Sequence, residues 1–106
     1  MSDLNKNYYE KITFRDALRL AIHDSMQEDE KIIVMGEDVA AYGGAYGATK
    51  DLLKLFGPKR IIDTPISEAA IVGASMGAAL TGLRPIAELM YADFFGLSMD
   101  QIANQL

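Results

Sequence analysis

The chain has 106 residues, of which 50% are hydrophobic and 24% are charged. These proportions are typical of one globular domain and exclude a disordered tail. Ten Lys and Arg against fifteen Asp and Glu give a net charge of −5, so the surface repels phosphate backbones and nucleic-acid binding is disfavoured. Cysteine is absent and His23 is the only histidine, so we predict no disulfide and no metal site.

The sequence favours a chain that neither crosses nor enters a membrane. The charge-free stretch 69–83 is shorter than the roughly twenty apolar residues of a membrane span, and Gly73 and Gly77 interrupt it. The N-terminus has no apolar core behind its charges, so no targeting segment is predicted. We expect the cytoplasm of a bacterium, or the mitochondrial matrix or a plastid of a eukaryote.

The first two elements are a helix and a strand. Thr13 followed by Asp16 resembles a capping box, and apolar residues recur behind it at helical spacing. This pattern predicts a helix over 14–28, after an N-terminal extension that covers 1–11. The apolar, β-branched run 32–35 then predicts a buried strand.

A short helix and a second strand come next. We expect Thr49 to cap a helix over 52–56, which Gly57 ends. The run 60–63 predicts a strand because it is apolar and β-branched.

The remaining elements continue the alternation. Ser67 is a good cap for a helix over about 68–82, residues 85–91 predict a third strand, and a last helix begins near Asp93. Strands that alternate with helices predict an α/β domain with a mainly parallel sheet and helices on both faces.

Parallel strands deliver the residues that follow them to one edge of the sheet. Here those residues are Glu37, the loop 64–68 and the segment 90–94. Ligands of open parallel sheets bind at the carboxyl ends of the strands, so this edge is the candidate site.

The glycine-rich stretch 42–50 invites a phosphate-loop interpretation, but Thr49 precedes Lys50 and no strand directly precedes the glycines. A surface loop, which could act as a lid or an interface, is favoured instead.

Small residues at every fourth position from Ala69 and from Ala70 indicate a close helix contact, either within the domain or across a subunit interface.

Three acids have ordinary explanations from chemistry alone. Glu68, in the first turn of an apolar helix, is explained by the helix dipole, although a carboxylate in an apolar cleft would suit proton exchange. Glu37 is typical of a solvated loop acid. Glu88 lies inside a strand and therefore needs a partner such as Arg84 or a backbone amide.

Six motifs nevertheless occur in one order that resembles a known family. The set is similar to the beta subunit of thiamine-diphosphate-dependent 2-oxo acid dehydrogenases, nearest to the pyruvate and acetoin branches, over about 12–105. The motifs are M-G-E-D-V (35–39), Y-G-G-A-Y (42–46), D-T-P-I-S-E (63–68), G-A-A-L-T-G-L-R-P-I-A-E (77–88), A-D-F (92–94) and D-Q-I (100–102).

The resemblance implies a transketolase-like pyrimidine-binding domain over 12–106 and thiamine diphosphate as the cofactor. Glu68 matches the glutamate that hydrogen-bonds a ring nitrogen of the aminopyrimidine and promotes loss of the thiazolium proton. Glu37 matches an acid of the same pocket. Ile66, Met90 and Phe94 match positions that pack around the pyrimidine, although some members carry Gln at the position of Met90.

The resemblance also implies partners and an activity. An alpha subunit would complete a heterotetramer and supply the diphosphate and magnesium site, and a lipoyl acyltransferase core would accept the product. The activity would be oxidative decarboxylation of pyruvate or a related 2-oxo acid. The family continues for a C-terminal domain past the position of Leu106, so we expect a truncated product or fragment that is inactive alone.

Two alternatives stay open at this point. The chain could be the beta subunit of an acetoin dehydrogenase, or a catalytically silent module that only binds an alpha subunit.

Overall fold

The computed structural model describes residues 11–105, so the predicted extension 1–11 lies outside it except for its last residue. Helix α1 spans Phe14–Glu28, as the capping box predicts. The Thr13 hydroxyl accepts a hydrogen bond from the backbone N–H of Asp16 at 3.1 Å, which satisfies one of the free donors at the helix start.

Three parallel strands form the sheet in the order β2-β1-β3. Strand β1 is Ile32–Gly36, β2 is Ile61–Asp63 and β3 is Arg84–Glu88. Gly36 at the end of β1 lies opposite Asp63 and Glu88, the last residues of its two neighbours. All three strands therefore end at the same edge, and the predicted α/β class with a parallel sheet is confirmed.

Helices cover both faces of the sheet. Val34 of β1 lies in a core cluster with residues of α1, of β2 and of the short helix α2, Leu52–Phe56. The neighbouring Ile33 is also buried and faces the opposite side, because successive strand residues alternate. On that side helix α3, Glu68–Leu80, packs against β1 and β3. The buried cluster consists of Ile22, Met26, Val34, Val39, Leu52 and Ile61.

The predicted cap of α2 is wrong. Asp51 is the N-cap residue of α2, in a left-handed conformation with φ 65°, and it makes no side-chain cap. Thr49 is fully buried instead, and its hydroxyl donates to the carbonyl of Val39 at 2.7 Å. The Thr49 hydroxyl therefore bonds to a loop residue ten positions earlier, instead of capping the helix as the local spacing predicts.

The last elements differ from their predicted bounds. Strand β3 ends at Glu88 rather than near residue 91, where Tyr91 adopts φ 67°. A 3-10 helix, Ala92–Ser98, and a π-helical turn, Gln101–Gln105, replace the single predicted α-helix. Within residues 11–105 no helix is both long and apolar enough to cross a membrane.

Candidate functional site

Two carboxylates meet at the carboxyl edge of the sheet. Glu37 directly follows β1, and Glu68 is the first residue of α3, a few residues beyond the end of β2. Both side chains are buried, with exposed fractions of 8% and 7%. Acidic side chains are rarely buried to this extent unless they are paired or functional.

The environment of Glu37 favours its protonated form. Burial raises the pKa of the Glu37 carboxyl above its ordinary value, and the neighbouring Glu68 carboxylate, a hydrogen bond shared with Glu68 and the charge of Asp38 raise it further. Among the described residues, Oε1 of Glu37 has no hydrogen-bond partner. The pair can thus hold a proton between two carboxyls, and it leaves one buried oxygen without a partner among the described residues.

The loop after β1 is tightly folded around Glu37. Asp38 has φ 53°, a conformation that costs energy for a residue with a side chain, and its carbonyl accepts from the N–H of Gly44 at 2.7 Å. Gly36, which precedes this turn, lies very close to the backbone of β3. A Cβ at Gly36 would lie 2.6 Å from the Glu88 carbonyl oxygen. A side chain at Gly36 would therefore push β3 away from the edge that carries the pair.

The other predicted site residues are more exposed. Ile66, in the loop between β2 and α3, is 82% exposed, and Phe94 is 43% exposed. The Phe94 ring makes an edge contact with Tyr91 at 6.0 Å between centroids, and Tyr91 makes another with Tyr46 at 5.9 Å. An aromatic row thus connects the glycine-rich loop to Phe94.

Met90 lines a cavity that does not include the carboxyl pair. This cavity of about 400 Å³ is open beside the end of β3, and Glu37 and Glu68 are not among its lining residues. Its walls are mostly apolar. The lining residues are Phe14, Arg15, Leu18, Ala45, Tyr46, Ala48, Glu88, Leu89 and Met90.

The partner expected for Glu88 is not found among the described residues. Arg84 donates to the carbonyl of Leu83 at 3.3 Å instead. Burial alone raises the pKa of the Glu88 carboxyl. The strand ends with a carboxylate that borders an apolar cavity, which opposes ionisation.

We expect Glu88→Gln to raise the free energy of unfolding at pH 7 more than it does at pH 4. A raised pKa in the folded state means that ionised Glu88 opposes folding, and this penalty is absent below the ordinary carboxyl pKa and grows as pH rises above it. Urea unfolding of both proteins at the two pH values measures the difference. Glu30→Gln, at an exposed turn, is the control. A Glu88→Gln effect no more pH-dependent than the control would contradict the prediction.

The small residues of α3 lie partly against other residues of the domain and partly at its surface. A Cβ at Gly73 would lie 3.7 Å from Cγ of Gln101, so this part of the face packs inside the domain. Ala70, Ala74 and Gly77 are exposed. The internal contact is observed, and an interface on the exposed side stays a prediction.

Asp63 is a residue whose contact the sequence did not reveal. Its Oδ1 accepts a hydrogen bond from the backbone N–H of Ala40 at 2.8 Å, which joins the end of β2 to the loop that carries Glu37. The position of Asp63 at the end of a strand was visible in the sequence, but its partner on another loop was not.

Comparison with known proteins identifies the family. Residues 10–106 match the family described as Transketolase, pyrimidine binding domain. This match spans nearly the whole chain, and the parallel sheet agrees with it. The chain belongs to this family of pyrimidine-binding domains.

The relatives carry more specific names. The chain is 53% identical over 94 residues to the pyruvate dehydrogenase E1 component subunit beta of Rickettsia bellii, covering 89% of this chain and 29% of that protein. It is 48% identical to the acetoin:2,6-dichlorophenolindophenol oxidoreductase subunit beta of Bacillus subtilis, covering 89% and 31%. The human mitochondrial pyruvate dehydrogenase E1 component subunit beta is 46% identical, covering 89% and 26%. The chain thus spans less than a third of these relatives.

Proposed function

We propose that the chain forms the pyrimidine-binding part of a beta subunit of a thiamine-diphosphate-dependent 2-oxo acid dehydrogenase. The reaction is oxidative decarboxylation of pyruvate or a related 2-oxo acid, with acyl transfer to lipoamide. The observation that carries this proposal is the buried pair Glu37 and Glu68 at the carboxyl edge of the sheet.

The residues at this edge fit an aminopyrimidine. A ring nitrogen and an exocyclic amino group are suitable partners for two carboxyls, one of which has an oxygen without a partner among the described residues. Ile66, after β2, and Phe94, after β3, offer exposed apolar side chains in the segments that follow the same edge of the sheet. When bound, thiamine diphosphate supplies the electron sink for decarboxylation.

Each acid has a separate task in this proposal. Glu68 holds a proton at the ring nitrogen and is the catalytic residue. Glu37 lines the same pocket, and its preference for the protonated form lets it share a proton with Glu68. Met90 is assigned to the surroundings of the pyrimidine by the family resemblance alone. It lines the cavity beside the end of β3, where a Gln would provide a polar contact that Met cannot make.

The proposal includes partners. An alpha subunit provides the diphosphate and magnesium site, and two copies of each subunit form a heterotetramer. A lipoyl acyltransferase core receives the acyl group. The complex functions in the bacterial cytoplasm, or in the mitochondrial matrix or a plastid.

An acetoin dehydrogenase beta subunit is the second candidate, and the relative in Bacillus subtilis favours it. A silent module that binds an alpha subunit without catalysis is the third. The substrate and the presence of turnover distinguish all three.

Co-expression with a cognate alpha subunit tests the proposal. We expect a stable complex that decarboxylates pyruvate when thiamine diphosphate and Mg²⁺ are added. Branched-chain 2-oxo acids and acetoin are assayed in parallel. Turnover of acetoin alone would assign the second candidate, and a stable complex that turns over none of these substrates would assign the third.

A further inference from the structure

Asp63 connects the two loops that carry the carboxyl pair. Its backbone ends β2, from which the chain runs directly into the loop that leads to Glu68. Its side chain reaches across to the N–H of Ala40, three residues beyond Glu37. The backbone N–H of Thr64 adds a second connection, because it donates to the carbonyl of Gly36 at 2.9 Å.

Among residues 11–105, three hydrogen bonds hold the turn that follows Glu37. Gly44 donates to the Asp38 carbonyl and Thr49 donates to the Val39 carbonyl, but both come from the same loop. Only the bond to Ala40 comes from the strand that leads to Glu68. Because Asp38 has a positive φ, the turn depends on such contacts to keep its shape.

We propose that Asp63 is a positioning residue, whose hydrogen bond to Ala40 fixes the loop that holds Glu37 beside Glu68. This inference deepens the proposed function, because it names what aligns the two acids of that site. The effect passes through the backbone of residues 37–40 and not through the charge of Asp63. The charges that face Glu37 are those of Glu68 and Asp38.

Two kinds of substitution separate the hydrogen bond from the charge. Asp63→Asn removes the charge but keeps an oxygen that can accept from Ala40. Asp63→Ala and Asp63→Leu remove the acceptor, and Leu does so without making the side chain smaller. Asp29→Ala is the matched control, since Asp29 accepts from the backbone N–H of Lys31, also at 2.8 Å, before the start of β1.

The readout is the titration of Glu37 in the chain alone, followed by NMR of carbon-13-labelled glutamate side chains. Glu37→Gln assigns the resonance. We expect the Ala and Leu variants to lower the pKa of Glu37 toward its ordinary range, because the freed loop exposes the carboxyl to water. The amide hydrogen of Ala40 should also exchange roughly tenfold faster. The Asn variant and the Asp29→Ala control should resemble wild type in both measurements.

Several outcomes would overturn the proposal. One is an unchanged Glu37 pKa in folded Ala and Leu variants, which would leave Asp63 with a purely local role. Another is an Asn variant that behaves like Ala, since the charge would then be responsible. If neither removal variant folds, Asp63 is required for the fold rather than for placement of Glu37. The measurement uses neither cofactor nor alpha subunit, so its failure is distinguishable from failure of the proposed function.

Discussion

Replacing Glu68 by Gln is expected to lower turnover of the reconstituted complex by about 100-fold or more while the chain stays folded. Gln has nearly the same volume and can still form a hydrogen bond to a ring nitrogen. It cannot hold and release a proton there, and acid-base groups of this kind contribute about 100- to 10,000-fold to rates. The loss should therefore appear in kcat, with a smaller change in cofactor affinity.

The discriminating measurement is the exchange rate of the proton on the thiazolium carbon of bound thiamine diphosphate. This rate should fall in the Glu68→Gln complex and remain unchanged in a Glu30→Gln complex, whose substitution lies at an exposed turn. Glu68 is also a first-turn acid of α3, so loss of its charge should cost at most about 1 kcal/mol of stability. Wild-type exchange in the Gln variant would mean that Glu68 only stabilises the helix.

Replacing Leu52 by Ala is expected to lower the free energy of unfolding by about 3 kcal/mol. Leu52 is fully buried and contributes to the core cluster that joins α1, β1, β2 and α2. Truncation removes its contacts and leaves a cavity that closely packed neighbours cannot fill. Such a loss is a large part of the stability of a small domain.

Urea unfolding measured by circular dichroism gives this quantity. Leu55→Ala is the control, because Leu55 lies on the same short helix and is 58% exposed. The two substitutions change helix propensity equally and differ in burial. If Leu55→Ala costs as much as Leu52→Ala, then α2 does not pack as described.

Local sequence patterns predicted the bounds of a helix or strand well where those bounds are set by residues close together in sequence. The Thr13 capping box and the helical spacing behind it set the bounds of α1, because both involve residues within one or two turns. The predictions failed where distant groups compete. Thr49 had a suitable spacing for a cap. Its hydroxyl is buried, however, and it forms its hydrogen bond with the Val39 carbonyl instead.

Arg60 shows the same limit. Its guanidinium donates to the carbonyls of Met26, Asp29 and Ile32. These bonds connect the residue just before β2 to the turn between α1 and β1. Nothing near Arg60 in sequence indicates these acceptors. They become neighbours only when β2 pairs beside β1.

The sequence alone determined the fold class, the common edge for Glu37 and Glu68, and the family resemblance that the comparison confirmed. Strand alternation and motif order are properties of the sequence, so they can be recognised before the structure is known. Only the tertiary structure decided that the two carboxyls are buried against each other and that Asp63 reaches Ala40. Those facts depend on side-chain direction and on contacts between segments far apart in sequence, which no local pattern encodes.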